Sequence, residues 1–145
     1  MSDTHQSRPA TGPTALGPHE IELRMLAVRD HVPALRALIA DWSMRANHDL
    51  DFIDDVRLAV DEVCALTFAN CTPEDIVTLR LVVEPSRVRI DARAPVRPTD
   101  DEPMVDGLSM RVLEALADSF DHGIDGTASE RVFRLSFGRW RQPPS

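Results

Sequence analysis

The stretch Leu58-Ala-Val-Asp-Glu-Val-Cys64 constrains this chain more than any other, because it sits in a helix built for burial on one side. At about 100° per residue, Phe52, Val56, Val60, Val63 and Thr67 fall on one apolar stripe. Glu62 lies on the flank of that stripe, one turn before Leu66, and Asp61 is expected to point to solvent. A helix with one continuous apolar stripe needs a second layer to cover it, so the chain must fold as a layered domain. Glu62 has two readings at this point: a boundary carboxylate on an amphipathic helix, or a functional group held beside a core.

A second stretch, Asp106-Gly-Leu-Ser-Met-Arg-Val-Leu113, opens a later helix. Taken in order and spacing, the two stretches resemble the GHKL (Bergerat) ATP-binding fold, and most of all its RsbW/SpoIIAB-type anti-sigma factor and serine kinase family. Ala-Val-Asp-Glu-Val-Cys-Ala-Leu is similar to the first half of that family's A-V-x-E-A-x-x-N box. Gly107-Leu-Ser-Met110 is similar in part to its G-x-G-(L/M) turn. The resemblance spans roughly residues 20–137. It implies an α/β two-layer sandwich (α+β) with helices on one face of a mixed, mostly antiparallel sheet.

Composition narrows the function classes. The 145 residues hold 24 acidic and 16 basic side chains, a formal net charge of −8. That balance opposes nonspecific nucleic-acid binding, which relies on cations neutralising phosphates, and it suits a basic partner. All the basic residues are arginine, so no Walker-type phosphate lysine, Schiff-base lysine or Ser-Lys nucleophile pair is available here. Cys64 and Cys71, if on one helix, stand about 10 Å apart, too far for a disulfide. They form no metal motif, and Cys64 reads as a small core side chain. No apolar run approaches membrane-spanning length and no secretory leader is read at the N-terminus. The expectation is a reduced, soluble, cytoplasmic domain of a size that buries about 70% of its unfolded surface.

Along the chain, residues 1–19 carry three prolines and two glycines and read as a disordered tail. Glu20 to Val28 alternates through Ile21, Leu23 and Met25 as a half-buried strand. Asp30 is read as the cap of a helix running to about Ala46, with Val32, Leu35, Leu38, Ile39 and Trp42 inward and Arg29, Arg36 and Arg45 off that stripe. Asp49 or Asp51 caps the helix that carries Glu62. Ile76–Val83 and Arg87–Ala94 form a hairpin across Glu84-Pro-Ser-Arg87. Pro95 to Asp106, with three prolines and four carboxylates, is no regular element. A third helix is expected from about Gly107 to Phe120, with Leu108, Val112, Leu113 and Leu116 inward, and a last strand at Arg131–Phe137. Residues 20–140 then make one domain, followed by a polar tail at 141–145.

The resemblance also implies site roles. The box glutamate of the family's kinases is the general base on an attacking hydroxyl, a place held here by Glu62. Their asparagine four residues later helps hold Mg²⁺ on the ATP phosphates, since i and i+4 share a helix face. Leu66 stands there instead, and leucine cannot ligate a hard cation. Asn70 is a further turn on and rotated by roughly 80°. The family's adenine-binding aspartate lies in a D-x-G-x-G turn. Here Ile90-Asp-Ala-Arg-Ala-Pro-Val96 lacks glycine, Ala94 takes the aspartate's place, and Asp91 comes three residues early.

The family's phosphate lid brings basic or hydroxyl groups. This one has Arg97 and Thr99 beside Asp100, Asp101, Glu102 and Asp106, which repel phosphates. Gly107 and Ser109 keep amides at a helix N-terminus, the remnant of an anion site. Gly126-Thr127 resembles the family's G-T-T near adenine, although such pairs are common in turns.

The function implied is an anti-sigma factor that sequesters an alternative sigma factor, in transcriptional stress responses. A STAS-type anti-anti-sigma antagonist releases it, without efficient ATP turnover. Arg36 is near the register of a recurrent partner contact, against the alternative of a plain exposed helix arginine. The family implies a homodimer, while the net charge and the lack of a long apolar run lead to the expectation of no nucleic-acid target and no membrane. The alternative is an active serine kinase of the antagonist, using ATP and Mg²⁺ with Glu62 as base. A third possibility is a scaffold in a signalling cascade without a sigma partner.

Overall fold

The computed structural model describes residues 15–96 and 107–142. The residues beyond these limits carry the first part of the tail, the segment with Arg97, Thr99 and the four carboxylates, and the last three positions. Those readings therefore lie outside the described residues.

Among these residues three α-helices pack on one face of a five-stranded sheet. In chain order they are β1 (Glu20–Leu26), α1 (Val32–Arg45), α2 (Leu50–Phe68), β2 (Ile76–Glu84), β3 (Arg87–Val96), α3 (Gly107–Leu116), β4 (Ser119–Gly126) and β5 (Arg131–Trp140). The strands lie in the order β1-β2-β3-β5-β4, and every described ladder is antiparallel. The parallel component of a mixed sheet is therefore not found among them. Two-residue alternation explains the layering. Val77, Leu79, Leu81 and Val83 of β2, Val88, Ile90, Ala92, Ala94 and Val96 of β3, and Phe133, Leu135 and Phe137 of β5 are all buried on the helix side. They meet Leu35 and Ile39 of α1, the α2 stripe and Leu113 of α3 in one core.

The α2 stripe reads as expected: Phe52, Val56, Val60, Val63 and Thr67 are all buried. Its cap is Asp49, whose Oδ1 accepts the Phe52 N–H at 2.8 Å, which removes one unpaired donor of the first turn. Thr67 turns its hydroxyl back onto the Val63 carbonyl at 2.7 Å, and so it is buried without an orphan group.

Four local readings differ. Asp30 caps nothing: it lies in a 3-10 turn, Arg29–His31, that leads into α1, whose N-terminus has no side-chain cap. The third helix stops at Leu116, and residues 119–126, expected in part as its last turn, form the edge strand β4. In α3 Ser109 and Leu113 are buried and Met110 and Leu116 pack against the core, while Leu108, expected inward, is 70% exposed. β5 also runs three residues further, to Trp140. The β4–β5 turn needs its glycine, because Gly126 has φ +108° and a Cβ there would lie 2.1 Å from the Glu130 carbonyl oxygen.

Ahead of β1, residues 15–19 make a turn in which Glu20 N–H bonds the Gly17 carbonyl, and His19 accepts from Val83 N–H at 3.2 Å. At the other end Arg141 N–H donates to Ser86 at 2.8 Å, and its guanidinium donates to the carbonyls of Pro85 and Asn47.

Candidate functional site

The position of Glu62 follows from how α2 is seated. Its apolar stripe is pressed on the sheet, which turns the Glu62 flank towards α3. There Ser109 Oγ donates a hydrogen bond to Glu62 Oε1 at 2.5 Å, the short distance of a charge-assisted bond. Ser109 is only 3% exposed, whereas Glu62 is half-buried. Two residues from separate motifs, 47 positions apart, thus meet directly. Gly107 lies one turn end away and is exposed, and a Cβ added to it would meet nothing within 4 Å.

The groups around this pair decide what it can do. Leu66, four residues after Glu62, is 1% exposed and belongs to the core. Magnesium wants near-octahedral oxygen ligands, and the helix position that would supply one supplies a buried isobutyl group. Asn70 is buried as well, its Nδ2 donating to the Leu66 carbonyl at 2.8 Å, which closes the end of α2. Ala94 is 2% exposed and faces Phe133 across the β3–β5 ladder, so no acceptor stands in that register either. Asp91 lies on the opposite face of the sheet, 3.2 Å from Arg89. The described residues do not fit a Mg-nucleotide held in the manner that the resemblance implies.

A void of about 10 Å³ lies among Leu35, Val60, Val63, Cys64, Leu79, Leu81 and Ile90. It is apolar and about the size of one water, so it is a packing gap under α1 and α2. Cys64 lines it, and burial pushes its thiol up to about 12, which keeps the sulfur protonated and unreactive at neutral pH. Cys71 lies beyond the end of α2, its Sγ 3.5 Å from the Thr67 carbonyl, and neither cysteine is in a disulfide.

Thr127 is not joined to the Glu62–Ser109 pair. It is exposed in the β4–β5 turn, where its N–H bonds the Glu130 carbonyl at 3.1 Å and its hydroxyl lies 3.3 Å from Ser129 Oγ. Arg36 is tied to α2: its Nε lies 3.2 Å from Asp61 Oδ1 across the α1–α2 contact. Asp61 therefore does not stand free in solvent as expected. Burial is the larger influence on that carboxyl and raises its pKa, with the Arg36 charge opposing the rise. No pattern in the sequence announces this pair, because it depends on how far each helix is rotated about its own axis. β4 left only a short alternation, Phe120, His122 and Ile124 against Asp121, Gly123 and Asp125, too brief to set it apart from the end of α3.

No family model matches the chain. Among curated proteins it is similar to the anti-sigma-F factor RsbW of Mycobacterium tuberculosis, in strains CDC 1551 / Oshkosh and ATCC 25618 / H37Rv. Each is 34% identical over 111 residues, which is 76% of this chain and 65% of the relative. The chain thus spans 65% of the length of the curated relatives it matches. Among solved structures it is similar to the crystal structure of the RsbU and RsbW domains of Rv1364c from Mycobacterium tuberculosis. That likeness has a TM-score of 0.50 at 17% identity, covering 86% of this chain and 33% of the other, and it is a likeness of fold.

Proposed function

We propose that the chain is a member of the RsbW/SpoIIAB-type anti-sigma factor family, with the fold of its GHKL relatives, and that it sequesters a sigma factor by protein contacts, without efficient ATP turnover. The partner class rests on the relatives, which are anti-sigma-F factors. The loss of turnover rests on one observation above the rest: the Glu62 carboxylate is engaged by Ser109 at 2.5 Å, while Leu66 is buried one turn on.

In a phosphotransferase the base must reach the attacking hydroxyl, and the phosphates must be neutralised beside it. Here the base position already accepts a hydroxyl of its own chain, and its i+4 neighbour presents no ligand. Members of the superfamily often bind ATP with Mg²⁺. In this chain Gly107 and Ser109 at the start of α3 are the residues left to meet an anion, and Thr127 stands apart from them in its turn. Arg36 belongs to the proposed partner surface on α1, where Asp61, 3.2 Å from its Nε, holds it in place. A STAS-type antagonist that competes for the sigma-binding surface, and a homodimer as the working form, complete the proposal.

Three measurements test it. The tagged protein, purified from its own cells, is expected to bring down a sigma factor identifiable by mass spectrometry. Calorimetric titration with ATP and Mg²⁺ is expected to show no binding in the micromolar range, and sigma affinity is expected not to change when Mg-ATP is added. Transfer of phosphate to an antagonist serine, abolished by Glu62→Gln with sigma binding intact, would establish the kinase reading instead. Recovery of signalling proteins with no sigma factor among them would leave the scaffold reading standing.

A further inference from the structure

The face of the sheet turned away from the helices carries a second, separate feature. Four of its arginines have carboxylate partners: Arg80 with Glu22 at 3.9 Å, Arg87 with Glu84 at 2.7 Å, Arg89 with Asp91 at 3.2 Å, and Arg134 with Asp121 and Asp125 at 2.8 and 3.1 Å. Arg24 and Arg93 are exposed on the same face, and among the described residues neither has a carboxylate partner.

They share one row across the strands. Arg24 faces Thr78, Thr78 faces Arg93, and Arg93 faces Arg134. Like charges directly opposite destabilise a ladder. The edge strand β4 relieves Arg134 through its two aspartates and leaves Arg93 unrelieved. In a chain of net charge −8, two uncompensated cations on one row are a local reversal of sign.

The next row on the same face is apolar and open. Leu26 and Ile76 are paired across β1 and β2 and are 43% and 40% exposed. The described helices all pack on the other side of the sheet. An apolar row beside a basic row is the complement of an amphipathic, acidic element.

The spacing chooses between kinds of element. Arg24 and Arg93 stand two strands apart, about 10 Å. That is about seven residues along a helix, two turns on one face. We propose that this face docks an acidic amphipathic helix of a partner protein. Its carboxylates, seven residues apart, meet Arg24 and Arg93 on either side of Thr78, and the leucines of its adjoining stripe cover Leu26 and Ile76. A second copy of this chain is the poorer occupant, because a two-fold contact sets a patch against itself and would bring arginine against arginine.

The test uses a dye-labelled helical peptide with glutamates seven residues apart and a leucine stripe beside them, with a counterpart in which lysines replace the glutamates. In fluorescence anisotropy at low salt the full chain is expected to bind the glutamate peptide and not the lysine peptide. The double variant R24E/R93E is expected to weaken binding by about tenfold or more, and Ile76→Ser to weaken it several-fold, with the melting temperature of the protein unchanged. Should charge reversal disturb folding, R24Q/R93Q gives the same comparison without new carboxylates.

Equal binding of both peptides, or equal binding by wild type and R24E/R93E, overturns the proposal. So does sedimentation showing a self-association of the wild type that changes with R24E/R93E, which would assign the face to a second copy. Binding of the sigma factor itself is measured separately, so the docking face can fail while the sigma reading stands.

Discussion

Ser109 and His48 show how much can hang on one polar atom. Ser109 Oγ is the donor that the Glu62 carboxylate accepts at 2.5 Å. Ser109→Ala leaves that carboxylate to water in a half-buried place, and the expected loss is about 1–2 kcal/mol in urea unfolding. An unchanged midpoint would mean that water replaces the hydroxyl at no cost. His48 is buried, stacked on Phe52 at 4.0 Å between ring centres, with Nε2 2.7 Å from the Glu84 carbonyl and Nδ1 without a partner.

Nε2 donates in that bond, which either form of the ring can do, but burial is the larger influence and lowers the His48 pKa below its ordinary 6.5, favouring the neutral ring. A lowered value means that the unfolded chain takes the proton first. His48 therefore contributes its stability above about pH 6.5, and that contribution is lost as pH falls through the folded value. Thermal melts at about pH 7.5 and about pH 5 should show a smaller drop in His48→Gln, which keeps a donor for Glu84 and cannot titrate. An equal drop in both proteins would remove His48 from the pH response.

At the scale of elements, α2 was legible and β4 was not, for physical reasons visible in each. The helix announces itself through Asp49 as cap and five inward residues at helical spacing, and these signals agree because local geometry and burial demand the same period. β4 pairs with β5 alone, so only one side of it is committed to the ladder. Its residues include Asp121, Gly123 and Asp125, which have poor strand propensity, and the alternation of Phe120, His122 and Ile124 is short. Read from the N-terminal side, Phe120 continues the spacing of Leu113 and Leu116.

What ends the helix early is Asp118, whose N–H reaches the Gly138 carbonyl at 2.8 Å and whose carboxylate accepts from Trp140 N–H at 2.7 Å. Those partners lie 20 and 22 residues on and cannot be read locally. α2 also sets a limit on repair of the site. Leu66→Asn would restore an amide at i+4 from Glu62, yet it places that amide in the core. The expected result is a loss of about 2–4 kcal/mol in urea unfolding with no gain of Mg-dependent ATP binding in calorimetry. A gain would show that α2 can turn that face towards α3.

For the whole molecule, the end of β5 gathers the layers. Arg139 pairs with Asp55 of α2 at 2.9 Å, donates to the Leu116 carbonyl at the end of α3 at 2.6 Å, and lies 5.7 Å from the Phe52 ring centre. Arg139→Ala is expected to cost about 1–3 kcal/mol. Arg139→Lys should recover only part of it, because an ammonium cannot reproduce the guanidinium fork. Full recovery with lysine, measured by the same unfolding curves, would reduce the contact to charge alone.

By itself the chain determined its helix and strand periods, the inward stripe of α2 and the hairpin at Glu84–Arg87, because each of these is set by residues a few positions apart. Tertiary structure alone decided that Glu62 meets Ser109, that Asp61 holds Arg36, that residues 119–126 are a strand, and that Arg24 and Arg93 share a row with no carboxylate partner among the described residues. Each of these depends on how far a helix is rotated and on which strand lies alongside, and packing settles those angles only when the distant parts of the chain come together.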